Sequence, residues 1–466
     1  MIPHPVRVPQ PFFSNSGALP VLLAAAPLPR QTRNRVKTLP AIQAVSDPYQ
    51  SGDPTAPPLS LTRRGFLRLG AAGLASASVA PLWAGTSSND TLSKAIDKLT
   101  AHYLTPPEDF GNVGRGAPVP SDLPADRRRE VGLVPETWRL EVIADPASDS
   151  KIEAPMSRQN GAALTWPALM KLAEKHAVRY LKVMTCNNIG EPLGMGLWEG
   201  VPLREVLWLT RPSANIRHVF YYGYHNDDRK QIFQSWLPAS RVFEDPPGHL
   251  PVLLCYKLNG QWLSPKRGGP VRMLVPEAYG FKSVKWLQTV ALTNRHQPDD
   301  TYAMGNNDTN SWLKTFARFV HAPGEARAGH PLVITGRAQV GMSGLAKVQY
   351  WLRRADSSLP AHDPYFETAP WRDAKILPLA KNWWRDLPER KRPEIPSQFD
   401  SATGRPLEWP MRHCLTYWAA QAPGVPPGQY ELHCRTIDAA GNAQPMPRPF
   451  EKSGHNDIQS VSLTVT

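Results

Sequence analysis

Hydrophobic and polar positions follow two different periods along the chain, so both helices and strands are predicted. In the first half of the folded region, apolar residues recur at helical spacing in the segments 90–104, 165–176 and 201–210. Alternating or continuous apolar runs predict strands at 137–144, 179–186, 216–224 and 250–260. Helices and strands do not alternate regularly, so the pattern favours an α+β fold over a doubly wound sheet.

The pattern changes near residue 326, after which strands and turns dominate. The predicted strands are 331–341, 346–355, 415–421, 429–442 and 461–466. Their spacing is typical of a β-sandwich. A long segment rich in Pro and Trp, residues 356–410, interrupts them. We therefore predict a mixed domain over 105–325 and an all-β domain over 326–466.

The first 85 residues have a different character. Residues 1–58 are rich in proline, and we expect a disordered leader or a start site placed too early. Residues 59–85 contain Arg63 and Arg64, then a weakly apolar run and small residues suited to cleavage. This is the pattern of a twin-arginine export signal, and the apolar run is too short for a stable membrane anchor. We expect a periplasmic protein, exported after folding and therefore able to load a complex cofactor first.

The charge balance limits the class of partner. The formal net charge is +13, and residues 1–85 account for +6 of it. No predicted helix has a stripe of Lys and Arg, and no RNA-binding motif occurs, so nucleic acid is not an expected partner. The basic remainder favours a solvated surface or a pocket for an anionic substrate or cofactor phosphate.

The four cysteines raise separate questions. Cys255 lies in an apolar run and is expected to be buried. Cys414 and Cys434 fall on strands predicted to be neighbours, where a disulfide is an option in the periplasm. Cys186 follows a predicted strand and precedes a glycine-dense loop, and it could be a core residue, half of a disulfide or a metal ligand. Spacing alone favours core packing, because no CxxC, CxxCH or HExxH motif is present.

Two longer stretches carry a family resemblance. Cys186 followed by "LWEGVPLREVL", and the run "LPVLLCYKLNGQWLSPKRGGPVRMLVPEAYGFKSVKWLQTVAL" at 250–292, resemble the molybdenum domain of the sulfite oxidase family. The tail, with "GLAKVQYWL" and "PGQYELHCRTIDAAGNAQP", is similar to that family's immunoglobulin-like dimerisation domain. The resemblance implies a mixed α/β molybdopterin domain followed by an immunoglobulin-like sandwich, with two chains pairing as a homodimer.

The resemblance also implies a molybdenum–molybdopterin cofactor, a pyranopterin dithiolene that holds the metal. Cys186 would be its one protein ligand, beside a glycine loop that lets the cofactor approach the backbone. Arg272 matches a family arginine that holds the pterin phosphate, and Lys285 closes a cofactor-contacting tripeptide. The cofactor-contacting positions implied in this sequence are Arg115, His225, Arg267, Arg272, Ser283, Val284 and Lys285. His225 and Arg267 stand where the family usually has an aspartate and a histidine.

Two positions are implied at the substrate. Arg115, in "FGNVGRGAPVP", lies one place later than the arginine of the family's Arg-Asn-His group, and no His follows it. Tyr302 takes the place of a family tyrosine whose position falls near Asn310. If sulfite is the substrate, Arg115 would hold it and Tyr302 could donate a hydrogen bond.

The predicted function is therefore periplasmic oxygen-atom transfer on a small anionic sulfur compound, with sulfite oxidation to sulfate first. Electrons would leave singly to a c-type cytochrome, because the chain has no haem motif. Two alternatives stay open: reduction of S-oxides such as methionine sulfoxide on the same cofactor, and a binding protein without a cofactor.

Overall fold

The computed structural model describes residues 86–296, 300–359 and 362–466, and the predicted leader and export signal, 1–58 and 59–85, lie outside the described residues. The helices within that part are α1 (Thr86–Leu99), α2 (Ala125–Glu130), α3 (Trp166–His176), α4 (Leu203–Leu207), α5 (Ala239–Phe243) and α6 (Thr301–Met304). None of these helices is long and apolar enough to cross a membrane.

Strands make up most of the regular structure. Those preceding residue 300 are β1 (Arg139–Ala144), β2 (Leu164–Thr165), β3 (Val178–Thr185), β4 (Pro192–Pro202), β5 (His218–Gly223), β6 (Gln234–Pro238), β7 (Leu253–Leu258), β8 (Gln261–Trp262), β9 (Arg272–Leu274) and β10 (Leu287–Thr293). Those following it are β11 (Phe316–His321), β12 (Glu325–Ala326), β13 (Leu332–Gln339), β14 (Lys347–Arg354), β15 (Arg372–Ile376), β16 (Leu415–Ala422), β17 (Gly428–Ile437) and β18 (Gln459–Val465).

Two sheets build the mixed domain. One has the order β2-β1-β10-β5-β6, with β1 parallel to β10. The other has the order β3-β4-β7-β8, with β9 also paired to β7, and all of its pairs are antiparallel. Apolar side chains from both sheets, among them Leu140, Val201 and Val290, pack with Leu169 of α3 in one core. The α+β prediction is confirmed.

Helix α3 begins where its sequence signal predicts. The Thr165 hydroxyl accepts the N–H of Ala168 at 3.3 Å, which satisfies one of the free donors of the first turn. Pro167 lies in the same turn, where its missing N–H costs no hydrogen bond. The helix then buries Leu169 completely against the sheets.

The segment after Cys186 differs from the predicted loop. Residues from Pro192 onward form β4, an eleven-residue strand paired with β3 and β7. The helix predicted at 201–210 shrinks to α4 and a single 3-10 turn. A Cβ on Gly194 would strike the ring of Phe110, so this glycine makes room for packing. The predicted glycine-dense loop is therefore wrong from Pro192 onward.

The all-β part is one curled sheet. Its eight strands have the order β11-β13-β16-β15-β14-β17-β18-β12. Strand β15, from the predicted insertion, pairs with both β14 and β16 and so joins the two halves. Apolar residues from both halves, such as Ile334, Trp418 and Leu432, pack in a common core. The all-β prediction is confirmed, and the first strand begins at Phe316, before the predicted boundary at 326.

All four cysteines are free thiols. Cys414 precedes β16 and Cys434 lies in β17, and β15 and β14 run between those two strands. The prediction of neighbouring strands, and with it the optional disulfide, is wrong. Cys255 is fully buried, as predicted, and burial raises the pKa of its thiol to about 12.

The free edge of β3 is covered by residues from the all-β part. The Gln398 side chain accepts the N–H of Leu181 at 2.7 Å and donates to the carbonyl of Leu181 at 2.8 Å. Further along, the N–H of Val183 donates to the carbonyl of His413 at 2.7 Å. These contacts replace a neighbouring strand, so the strand that leads to Cys186 has no exposed edge here.

Candidate active site

A cleft with an empty volume of about 1050 Å³ lies against the ends of β3 and β5 and the connection between β9 and β10. Residues from the 110–120 segment and from α6 complete its walls. All of the predicted site residues line this cleft: Arg115, Cys186, His225, Arg267, Arg272, Ser283, Val284, Lys285 and Tyr302. The structure thus brings together side chains from five separate parts of the sequence.

Cys186 is the thiol of the cleft. It directly follows β3, is half-buried, and its carbonyl accepts the N–H of Ile189 at 3.3 Å. Among the described residues, no group of three or more His, Cys, Asp or Glu side chains could hold a metal ion. Cys186 therefore offers one soft sulfur ligand, which suits a metal whose other ligands come from an organic group.

Arg272 is the most deeply buried cation of the cleft, with 4% of its surface exposed. Its guanidinium donates to the carbonyls of Arg267 at 3.0 Å and Ser283 at 2.5 Å, while its buried Nε has no partner among the described residues. Burial is the main cause that lowers the pKa of Arg272 to about 10. A buried cation without a carboxylate is costly unless an anion compensates it. This arrangement fits a phosphate.

Two further cations hold the wall formed by residues 110–113. Lys285 Nζ donates to Asn112 Oδ1 at 2.6 Å and to the carbonyl of Val113 at 3.0 Å. Arg267 donates to the carbonyl of Gly111 at 2.6 Å. Burial, and then the charges of Arg272 and Arg267, lower the pKa of Lys285 to about 7. Sequence reasoning missed Asn112, although it lies three residues from Arg115 in the same motif.

Ser283 and Val284 form the wall beneath these cations. The Ser283 hydroxyl accepts the N–H of Val275 at 3.1 Å, and the carbonyl of Val284 accepts the N–H of Met273 at 2.9 Å. Both residues are buried, and their hydrogen bonds fix the local backbone. On another side of the cleft, His225 has a buried Nδ1 without a partner in the described part of the chain. That nitrogen is available to a ligand.

Arg115 approaches the thiol from the 110–120 segment. Its guanidinium carbon lies 3.5 Å from the centre of the Phe233 ring, which is cation–π contact distance. Desolvation lowers the pKa of Arg115, while the nearby Tyr302 and Cys186 act in the opposite direction. Arg115, Tyr302 and Cys186 therefore lie close enough to interact electrostatically.

Tyr302 is 5% exposed and is held by aromatic stacking. Its ring lies 3.9 Å from that of Phe281, with an interplanar angle of 12°. Its hydroxyl donates to Asn187 Oδ1 at 3.0 Å. Sequence reasoning did not single out Asn187. Burial, followed by the charge of Cys186, raises the pKa of Tyr302 to about 12, and Arg115 opposes that shift. The phenol is therefore protonated at neutral pH.

Comparisons with known proteins point to one kind of domain. Residues 130–301 match the family model of the oxidoreductase molybdopterin binding domain. Mitochondrial sulfite oxidase of Macaca fascicularis is 27% identical over 213 residues, which cover 44% of this chain and 35% of that protein. The protein-methionine-sulfoxide reductase catalytic subunit MsrP of Campylobacter jejuni is 24% identical over 254 residues, or 52% of this chain and 75% of that protein.

One solved structure is also similar. The sulfane dehydrogenase SoxCD from Paracoccus pantotrophus aligns with a TM-score of 0.48 and 16% identity, over 72% of this chain and 79% of that one. The aligned region spans about a third of the length of the sulfite oxidase, so the resemblance to that protein concerns one part of it.

Proposed function

We propose that this chain, which belongs to the sulfite oxidase family of molybdopterin-dependent oxidoreductases, oxidises a small anionic sulfur compound in the cleft around Cys186. Sulfite is the first candidate substrate. The observation that carries the proposal is a group of cations without a carboxylate partner among the described residues, gathered beside one thiol.

The residues of the cleft fit the cofactor. Buried Arg272, with its unpartnered Nε, would bind the phosphate of molybdopterin, and Arg267 and Lys285 would add positive charge beside it. Cys186 would ligate the metal. When bound, the molybdenum centre supplies two-electron oxidation and reduction coupled to oxygen-atom transfer.

Protein side chains would bind and orient the substrate. Arg115 brings a guanidinium that can bind two oxygens of a small oxyanion, and its contact with Phe233 limits the geometries available to it. The rings of Phe233 and Phe281 line the same cleft.

The electron acceptor and the location belong to the same proposal. A c-type cytochrome would accept electrons one at a time, since no haem motif occurs in the sequence. The periplasm is proposed from the twin-arginine pattern at 59–85, which lies outside the described residues. Pairing of two chains through the curled sheet rests on the family resemblance.

Reduction of an S-oxide is the second candidate. The match to the methionine sulfoxide reductase covers 75% of that protein, against 35% of the sulfite oxidase. An S-oxide is neutral, so it would gain less from Arg115 than an oxyanion does. The third alternative, a binding protein without a cofactor, conflicts with the retained thiol and phosphate-binding cations.

Elemental analysis of protein matured with its cofactor machinery tests the proposal. We expect about one molybdenum per chain in the wild type and a large loss in Cys186→Ser. Cys434→Ala is the matched control, because it removes a buried thiol from the curled sheet and should keep the metal. Reduction of cytochrome c by sulfite, against viologen oxidation by methionine sulfoxide, then separates the two candidates. Wild-type protein without molybdenum would refute both.

A further inference from the structure

Asn187 connects the cleft to the curled sheet. It is 1% exposed, and its Oδ1 accepts the hydroxyl proton of Tyr302 at 3.0 Å. Its Nδ2 donates to the carbonyl of Lys452 at 3.2 Å and to Ser311 Oγ at 3.3 Å. Its own carbonyl accepts the N–H of Gly454 at 3.2 Å. Lys452 and Gly454 belong to the connection between β17 and β18, so the all-β part fixes a residue beside the thiol.

The contact with Lys452 determines which end of the Asn187 amide meets Tyr302. A carbonyl oxygen only accepts hydrogen bonds, so the NH₂ group of the amide must face Lys452. Oδ1 is left for Tyr302, and because Oδ1 also only accepts, the phenol must donate. A tyrosine hydroxyl has one proton. In this arrangement the proton is donated to Asn187, so the hydroxyl offers a ligand only its lone pairs.

We infer that Asn187 is a positioning residue that makes Tyr302 a hydrogen-bond acceptor toward the cleft. The site would then favour a sulfur compound that brings an O–H group to Tyr302, such as a protonated sulfur oxyanion. Unprotonated anionic oxygens would bind to Arg115. This inference rests on the proposed function and specifies its substrate class.

A fully ionised oxyanion would meet a penalty at Tyr302. To receive the phenol proton it would have to displace Asn187, and Oδ1 would then be buried without a donor. The ring itself would not move, since Phe281 stacks on one face and Phe233 contacts it edge-on at 5.9 Å between centroids. Removing the amide therefore frees the hydroxyl to rotate while leaving the ring in place.

Sulfate binding to the molybdenum-loaded protein measures the direction of this hydrogen bond. Sulfate has no proton at neutral pH, so Tyr302→Phe should leave its Kd within about twofold of wild type. Asn187→Leu, which is similar in size and admits no replacement water, should tighten sulfate binding about tenfold because the phenol can then donate to the anion. The tightening should vanish in the double variant. Isothermal titration, normalised to molybdenum content, gives the four constants.

Asn187→Asp is the conservative control. It keeps an acceptor for the Tyr302 proton, so sulfate should not bind more tightly than in wild type. A purely structural role for Asn187 would instead weaken sulfate binding equally with and without the Tyr302 hydroxyl. Weaker binding by about tenfold in Tyr302→Phe would overturn the inference, because the phenol would then be a donor to the anion.

Melting temperatures of the same four proteins provide a readout without a ligand. The loss in the double variant should not exceed that in Asn187→Leu, because both changes remove one shared hydrogen bond. Additive losses would overturn the inference even if no protein bound sulfate. The proposed function is tested separately, by the molybdenum content and sulfite turnover of the wild type.

Discussion

Replacement of Arg272 by Met should separate the stability of the fold from cofactor binding. Burial lowers the pKa of Arg272 to about 10, against about 12.5 for an exposed arginine. Since one pKa unit corresponds to about 1.36 kcal/mol, burial disfavours the charged form by about 3 kcal/mol. The two hydrogen bonds to the carbonyls of Arg267 and Ser283, at about 1.5 kcal/mol each, offset that cost. Arg272→Met should therefore leave the unfolding free energy of cofactor-free protein within about 1 kcal/mol of wild type.

Arg241 provides the matched comparison. It is also buried, but it donates to both oxygens of Glu277, at 2.6 and 3.0 Å, and to Asp245 at 2.9 Å. Arg241→Met would leave Glu277 buried without an ion-pair partner, while Asp245 would keep its contact with Arg204. The expected loss of unfolding free energy is about 3–5 kcal/mol, with or without cofactor.

Urea denaturation of the cofactor-free proteins measures the first effect, and molybdenum and pterin content measures the second. Removing a buried partner of a charged group costs about 2–5 kcal/mol of binding free energy, so Arg272→Met should weaken cofactor binding at least thirtyfold, roughly. Arg241→Met should retain cofactor in the fraction that folds. Unfolding of Arg272→Met as easily as Arg241→Met, or a full complement of molybdenum in Arg272→Met, would refute this prediction.

Two further predictions concern pH and backbone geometry. The folded-state pKa of Lys285 is about 7, below its unfolded value, so the unfolded chain binds more protons above pH 7 and the unfolding free energy should rise with pH there. Between pH 7 and 8.5, Lys285→Met should reduce the slope of unfolding free energy against pH by up to about 1 kcal/mol per pH unit. Equal slopes in the two proteins would contradict this prediction. Gly454→Ala should lower the unfolding free energy by at least about 2 kcal/mol, because the new Cβ would lie 2.5 Å from the Tyr279 hydroxyl. Gly441 has a similar positive φ but open space around it, so Gly441→Ala should cost about 1 kcal/mol. Thermal unfolding of the two variants compares these losses.

Sequence patterns predicted most of the elements, whereas the residues that line the cleft were predicted from the family resemblance. Spacing alone favoured core packing for Cys186, and the resemblance of the 250–292 run implied Arg272 and Lys285. The strand β4 was missed because its glycines were interpreted as a loop, while in the structure Gly194 makes room for Phe110. Asn187 could not be recognised, since its role depends on a carbonyl 265 residues later in the chain.

The cover on the edge of β3 has a consequence for how the protein is made. Leu181 and its hydrogen-bonding partner Gln398 are separated by 217 positions, so a ribosome must produce most of the chain before the two can meet. Until then β3 would present unpaired N–H and C=O groups, which attract other strands in a nascent chain. Contacts this distant in sequence also slow folding, because a long loop must close first. The edge of the strand that leads to Cys186 is therefore completed late in biosynthesis, after Gln398 and His413 have been made.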